Sequence, residues 1–597
     1  MCLEFSVFRK QILALQRIYL TVHTDYKSIR MKTKNLVIYA FTALALVLMQ
    51  GCGGLGKMDK LKEELNAKVE PDPLIVRGDS VEINLSGKFP EKYFHKKVIV
   101  EATPALTFEG GETLFTMQGY QGEDAAGNYE VIPYDAGKSF SYTDKIAYTP
   151  AMAESNLELR IKGSKGSKEQ SFDPIVLAPG IITTPYLIQD DDKPTMSTDS
   201  FQRTLSKTKE AVVNFNYNAS NVRSVELKDD DIKALKAFIM ECADSDSLVL
   251  TGTSVEAYAS PEGEITLNED LALERSQAAN KIVANLIKKA KLEVAAEGFY
   301  VDSPKGEDWE GFKEQMEASS IEDKNLILRV LEMYTDKNKR EQEIKNIAKT
   351  YKSIEKDILP SLRRSQVTLK YNVEGYTDEE LIVLCKSNPE TLTVEEILFS
   401  ATLFEGMNDK LEIYENAERL FPADYRGINN VGYILFMQNK KEEAKSQFEK
   451  AYAVSEKAEV ANNLGICARL DGDRDGALGY FAAASGAGDA VAYNKGLVKI
   501  QQGDYSSAVS NMGSNSTFNV ALAKVLNGDN TGAKAAMDNS GDDSAMAMYL
   551  KAIIAARTGS GADVLKNLND AIAKDGSLKD KAMKDLEFRD FQAQFNF

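Results

Sequence analysis

Histidine is nearly missing from this sequence: His23 and His95 are the only two in 597 residues. Ser-His, Cys-His and histidine-based zinc chemistries all need imidazoles that the chain hardly has. The five cysteines, Cys2, Cys52, Cys242, Cys385 and Cys467, form no CxxC pair. Cys242, Cys385 and Cys467 therefore read as buried small hydrophobes, not as disulfide partners or ligands. Excess positive charge is also lacking. Ninety acidic residues stand against 72 basic ones, a formal charge of -18, and that field repels polyanions, so nucleic acid is not an expected partner. No stretch after Cys52 is long and apolar enough to span a bilayer. What is present is an ordinary globular mixture, 43% hydrophobic and 27% charged, in a chain long enough for roughly four domains at about 150 residues each.

From Met31 the sequence runs MKTKNLVIYAFTALALVLMQGCGG. Two lysines, an apolar stretch from Leu36 to Met49, and Gly51 before Cys52 make a secretory signal with a core too short for a comfortable transmembrane helix. The cysteine directly after Gly51 makes residues 31–51 resemble a lipoprotein signal peptide. That resemblance implies that the Cys52 thiol is acylated and becomes the new amino terminus. Two or three acyl chains, at about 0.8 kcal/mol per buried methylene, hold a protein durably to a membrane. Residues 1–30 look neither like a signal nor like a domain, and they read as a start codon placed too early.

The rest divides by pattern. Residues 52–70 read as a charged tether, lipidated if the resemblance at Cys52 holds. Residues 71–180 carry period-two runs such as SVEINLSG, KKVIVEATP and NLELRIKG between Gly, Pro, Asp and Asn, which indicates an all-β sandwich of immunoglobulin-like kind. Residues 181–205, rich in Pro, Asp and Thr, read as a linker. Residues 206–375 alternate strands with helices, an α/β sandwich with helices on one face of a sheet. They are interrupted near 308–360 by a charged helical insert whose SSIED segment carries a Ser-x-x-Asp helix start.

Residues 376–597 are helical and repetitive. Asn430-Val431-Gly432-Tyr433 is followed by Ala444, Phe448 and Ala451; Asn463-Leu464-Gly465 by Gly472, Ala477, Phe481 and Ala484; Lys495-Gly496 by Gly503 and Ala508. Small residues let paired helices approach, aromatics fill the wedge between pairs, and glycine makes the turn. These positions, recurring at about 34 residues and degrading later, resemble tetratricopeptide repeats, five or six in number. The resemblance implies an all-α solenoid that binds proteins or peptides on its concave face.

Within 206–375, Ala257-Tyr258-Ala259-Ser260-Pro261-Glu262-Gly263, then Asn268, Leu271 and Arg275, with Leu362-Arg363-Arg364 before the last strand, resemble the peptidoglycan-binding domain of the OmpA family. In that family a loop aspartate accepts the ammonium of diaminopimelate and a helix arginine pairs with its carboxylate. Arg275 falls on the arginine. Ser260 stands where the aspartate would be, and Glu262, two residues on, is the carboxylate that could replace it. The resemblance thus implies a peptidoglycan site at Ser260, Glu262, Asn268 and Arg275.

The layout as a whole looks like envelope proteins of Bacteroidota. It implies a non-enzymatic lipoprotein on the periplasmic face of the outer membrane, with protein partners on its repeats, peptidoglycan as a further ligand, and no cofactor or metal. Two alternatives stand beside it: an assembly or secretion accessory factor that binds only protein, and a glycan hydrolase using two carboxylates, for which no pair stands out among the many acids.

Overall fold

The computed structural model describes residues 55, 58 and 66–597 apart from 296. Cys52, the signal at 31–51 and the extension at 1–30 lie outside the described residues. The chain forms two compact units, one of residues up to 196 together with 435–597, the other of residues 197–434.

The first unit opens with two facing sheets. One joins β1 (Lys68–Glu70), β2 (Leu74–Arg77), β3 (Ser80–Phe89), β8 (Lys138–Ala147) and β12 (Ile181–Ile182). The other joins β4 (Ile99–Phe108), β5 (Gly111–Leu114), β6 (Gln118–Gly122), β7 (Glu130–Ile132), β9 (Ser155–Lys165), β10 (Lys168–Ser171) and β11 (Ile175–Pro179). On β3 the side chains of Val81, Ile83 and Leu85 are buried while Glu82, Asn84 and Ser86 are exposed, the period-two pattern that lets one strand face both core and water. Val81 and Ile83 meet Leu106 and Leu157 of the opposite sheet. Leu55 and Met58, inside the expected tether, are buried against Phe94 and Val100, and Tyr93 donates to the Met58 carbonyl at 2.6 Å. That stretch is held to the sandwich at both described residues.

The same unit contains the helices α11 (Lys441–Val454), α12 (Ala458–Leu470), α13 (Arg474–Ala483), α14 (Asp489–Gln501), α15 (Tyr505–Met512), α16 (Phe518–Leu526), α17 (Asn530–Asn539), α18 (Ala545–Arg557), α19 (Gly561–Lys574) and α20 (Leu578–Lys584). They pair as α12/α13, α14/α15, α16/α17 and α18/α19, a solenoid of helical hairpins. A short turn is reused between partners: Gly472, Gly503 and Gly528 sit at φ of 85°, 75° and 85°. The Asp after each caps the next helix, Asp473 accepting from Gly476 N, Asp504 from Ser507 N and Asp529 from Gly532 N. Only glycine reaches such φ without strain, and aspartate satisfies an otherwise orphaned N–H. The sandwich docks on these turns. Arg77 Nε donates to the Gly503 carbonyl at 2.9 Å, and Arg474 pairs with Asp79 at 2.5 and 2.9 Å.

The second unit is built on the sheet β13-β16-β14-β15, from β13 (Thr204–Asn214), β14 (Leu248–Ala259), β15 (Tyr300–Glu307) and β16 (Arg364–Glu374). Only the β14/β15 pair is parallel. Helices α1 (Asp230–Asp244) and α2 (Ile265–Ala290) cover one face, Leu235, Ile239 and Val283 packing on Val213, Val255 and Val367. The insert is four helices, α3 (Trp309–Ala318), α4 (Lys324–Met333), α5 (Lys337–Asn346) and α6 (Ala348–Asp357), with its own core around Phe312, Met316, Ile327 and Leu359. The Ser-x-x-Asp start does not operate: α4 begins only at Lys324, after Asp323, and without a side-chain cap. Asp308 caps α3 through Gly311 N instead. Helices α7 (Asp378–Ser387), α8 (Val394–Thr402) and α9 (Met407–Leu420) follow, α7 and α8 entered through reciprocal Thr-Glu capping boxes at Thr377/Glu380 and Thr393/Glu396. Helix α10 (Tyr425–Met437) carries the chain from this unit into the first. Among the described residues no helix is long and apolar enough to cross a membrane.

Candidate functional site

Two groups of polar side chains are built into the fold, one in each unit. In the second unit, β14 ends at Ala259, and Ser260 to Gly263 turn the chain into α2, with Gly263 at φ 96°. Arg275, nearly three turns into α2 at about 3.6 residues per turn, is fully buried. Its guanidinium donates to three carbonyls, Nε to Ala219 at 3.0 Å, Nη1 to Tyr258 at 2.8 Å and Nη2 to Asn216 at 3.2 Å, and lies over the Phe215 ring. Burial, with Arg363 nearby, pushes it down to about 10, so it stays cationic at neutral pH. Its fork ties the end of β14 to the segment after β13.

Ser260, Glu262 and Asn268 do come together with it, but their polar atoms are turned on one another and on Arg363. Ser260 Oγ donates to Glu262 Oε1 at 2.6 Å and accepts from Arg363 Nε at 3.2 Å, while Arg363 Nη2 donates to the same Glu262 oxygen at 2.8 Å. The Arg363 and Glu262 side chains are 11% and 8% exposed. Asn268 donates to the Glu262 carbonyl and to Glu307. The insert reaches the same loop, Glu341 accepting from Gly263 N at 2.7 Å. Glu262 turns inward, and its charge meets Arg363. A ligand ammonium would have to displace that arginine.

In the first unit, residues 189–196 of the segment expected to be a linker lie along the repeat helices as an extended strap. Asparagine side chains read its backbone two atoms at a time. Asn519 accepts from Gln189 N at 2.9 Å and donates to Gln189 O at 2.8 Å. Asn494 does the same for Lys193 at 2.8 and 3.0 Å, and Asn463 for Thr195 at 2.8 Å in both directions. A carboxamide presents one acceptor and two donors in a plane, which matches the N–H and C=O of one extended residue. Arg469, 1% exposed, adds charge recognition, with Nε to Asp192 Oδ1 at 2.7 Å and Nη2 to Asp192 Oδ2 at 2.5 Å and Asp190 Oδ1 at 2.8 Å. Lys441 also pairs with Asp190, and Tyr493 donates to Asp191. In the second unit the same exchange recurs between Asn430 and Ser197, at 2.8 and 2.9 Å.

These asparagines were not singled out as binding residues in the sequence, although a signal exists. Asn430, Asn463 and Asn494 each precede by two the glycine of a repeat, Gly432, Gly465 or Gly496. At about 100° per residue, positions two apart point to nearly opposite sides of a helix. If the glycine faces the partner helix, the asparagine faces the groove. Gly465 and Gly496 do face the partner helix: a Cβ on Gly465 would stand 2.5 Å from the Phe481 ring, and one on Gly496 2.4 Å from Met512. Gly432, Ala444, Phe448, Ala477, Phe481 and Ala508 are all buried. Cys242, Cys385 and Cys467 are buried free thiols. No cluster of three or more metal-ligating side chains occurs among the described residues.

Neither a protein-family model nor any curated protein matches the sequence. Solved structures of repeat proteins are similar over parts of the chain. A tetratricopeptide repeat protein from Parabacteroides merdae is 12% identical over 35% of this chain and 91% of its own, with a TM-score of 0.27. PilF of Pseudomonas aeruginosa is 17% identical over 36% and 99%, at 0.27. YrrB, a repeat protein with an unusual peptide-binding site, is 19% identical over 35% and 100%, at 0.22. At such scores these likenesses say nothing of what this chain binds.

Proposed function

We propose that this protein is a non-enzymatic scaffold of the cell envelope, anchored through acylated Cys52 on the periplasmic face of the outer membrane, whose repeats engage other proteins. The observation that carries the binding role is the row of buried asparagines reading an extended backbone in the repeat groove. Main-chain hydrogen bonds supply affinity for any extended segment, and the pockets beside them supply selectivity. The anchor is supported by the sequence from Met31 to Cys52 alone.

For the OmpA-like region, the engagement of Glu262 by Arg363 and of Arg275 by three carbonyls favours the reading in which it binds protein only. Peptidoglycan binding through Ser260, Glu262, Asn268 and Arg275 is the alternative. Two measurements separate them. The tagged chain should retain envelope proteins, lose them when residues 435–597 are removed, and stay at background level in sedimentation with purified sacculi. Sedimentation with sacculi would favour the alternative, and absence of any protein partner would remove the scaffold reading. Cys52→Ala should move the protein from the membrane fraction to the soluble periplasm, and persistence in carbonate-washed membranes would count against the anchor.

A further inference from the structure

The repeat groove of the first unit is already filled, and what fills it is covalently part of the protein. Gln189, Lys193 and Thr195 each exchange two backbone hydrogen bonds with one asparagine. Asp190 and Asp192 converge on Arg469. Chain direction is fixed as well, since successive strap residues meet Asn519, then Asn494, then Asn463, antiparallel to the order of the repeats. Nothing in this recognition requires the peptide to come from the same chain: the asparagines read main-chain atoms, and Arg469 and Lys441 read carboxylates two residues apart.

We propose that the strap Gln189–Met196 is a ligand held in cis, and that the groove is a site for extended peptides with an Asp-x-Asp pair, which enter from a partner protein only by displacing it. The proposal rests on the scaffold reading above and narrows it to one surface and one class of partner. A tethered segment competes at an effective concentration of about millimolar, so a free peptide binds the resting protein weakly and gains when the strap is loosened. Proline tests this cleanly. Gln189→Pro and Thr195→Pro delete the two N–H groups that Asn519 and Asn463 accept and, at 195, the hydroxyl that donates to the Glu459 carbonyl, while every side chain of the groove stays in place.

The probe is a fluorescent peptide with this chain's own sequence LIQDDDKPTMST, titrated against the full chain. The Gln189→Pro/Thr195→Pro variant should bind it at least about tenfold more tightly than the parent. Arg469→Ala in that background, or a peptide with both Asp190 and Asp192 replaced by Asn, should abolish the gain. Equal binding to parent and variant, or binding to neither, overturns the proposal. If the double variant does not fold, Gln189→Pro alone takes its place. Hydrogen exchange on the parent gives an independent reading: the amides of Gln189, Lys193 and Thr195 should exchange far more slowly than in the free peptide, and exchange at the peptide's rate overturns the proposal. A chain that still captures envelope proteins while the peptide binds nowhere would leave the scaffold standing and remove the strap.

Discussion

Gly465 and Gly479 show how much a single position depends on what faces it. Gly465 leaves no room for a Cβ, which would fall 2.5 and 2.6 Å from two atoms of the buried Phe481 ring. Gly479, in α13, has nothing within 4 Å and is exposed. Gly465→Ala should therefore cost about 1–3 kcal/mol through overpacking, whereas Gly479→Ala should gain up to about 1 kcal/mol of helix propensity. Urea denaturation followed by helical circular dichroism tests both, and a Gly465→Ala midpoint equal to the parent's would show that the contact is not rigid. Arg275 calls for a different expectation from the one a ligand-binding arginine would carry. Its three carbonyl partners make it a clamp, so Arg275→Lys should destabilise the 197–434 unit by about 1–3 kcal/mol, because one ammonium cannot span three diverging acceptors and leaves buried oxygens unpaired. The measurement is the unfolding midpoint of that unit, and an unchanged midpoint would return Arg275 to the role of a free binding group.

Among the elements, α8 and α10 are joined within the second unit by an ion-pair cluster. Arg426 on α10 contacts Glu395 on α8 at 2.7 Å and Asp424 at 2.8 Å. The hydrogen bond from Arg426 holds the Glu395 carboxyl below its ordinary value of 4.5. A carboxyl depressed in the folded state contributes stability that is present above about 4.5 and is lost as pH falls through the lower folded value. With Glu395 about a third exposed, water screens the pair and the contribution stays below about 1 kcal/mol. Glu395→Gln should lower the unit's stability at neutral pH by up to that amount and leave it nearly unchanged at the acid end, which flattens the acid limb of the stability curve; thermal melts from pH 3 to 7 would show an undiminished acid limb if the pair contributed nothing. The strap is extended for local reasons of its own. Pro194 has no N–H and biases Lys193 away from helical backbone, and Asp190, Asp191 and Asp192 repel one another unless basic and hydroxyl groups receive them.

At the scale of the whole molecule, the first unit is discontinuous in sequence: its sandwich and strap precede residues 197–434 and its helices follow them. Its amino-terminal part is therefore completed only after the carboxy-terminal helices have been made. A chain ending at Ile434 keeps the strap but lacks Asn463, Asn494, Asn519 and Arg469. Asp-specific endoproteinase should then cut at residues 190–192 rapidly in the shortened chain and slowly in the full one. Equal rates would show that the repeats do not protect the strap.

Periodicity is local, and what rests on it could be read from the sequence. Alternation along Val81, Ile83 and Leu85 defines strands, small and aromatic residues at helical spacing define paired helices, and strand-helix order gives the α/β layer, because each pattern reports the environment on the two faces of one element. The scarcity of imidazoles, two in the whole sequence, is legible there too. Partner choice is not local. Glu262 and Arg363 are about a hundred residues apart, as the sequence stands, and nothing in either neighbourhood says that one neutralises the other. Residues 181–205 read as a linker because Pro and Asp favour extended backbone in water and in a groove alike. Which of the two holds depends on whether asparagines some 270 to 330 residues away arrive at the same spacing as the strap's N–H and C=O groups, and only the tertiary structure brings them there.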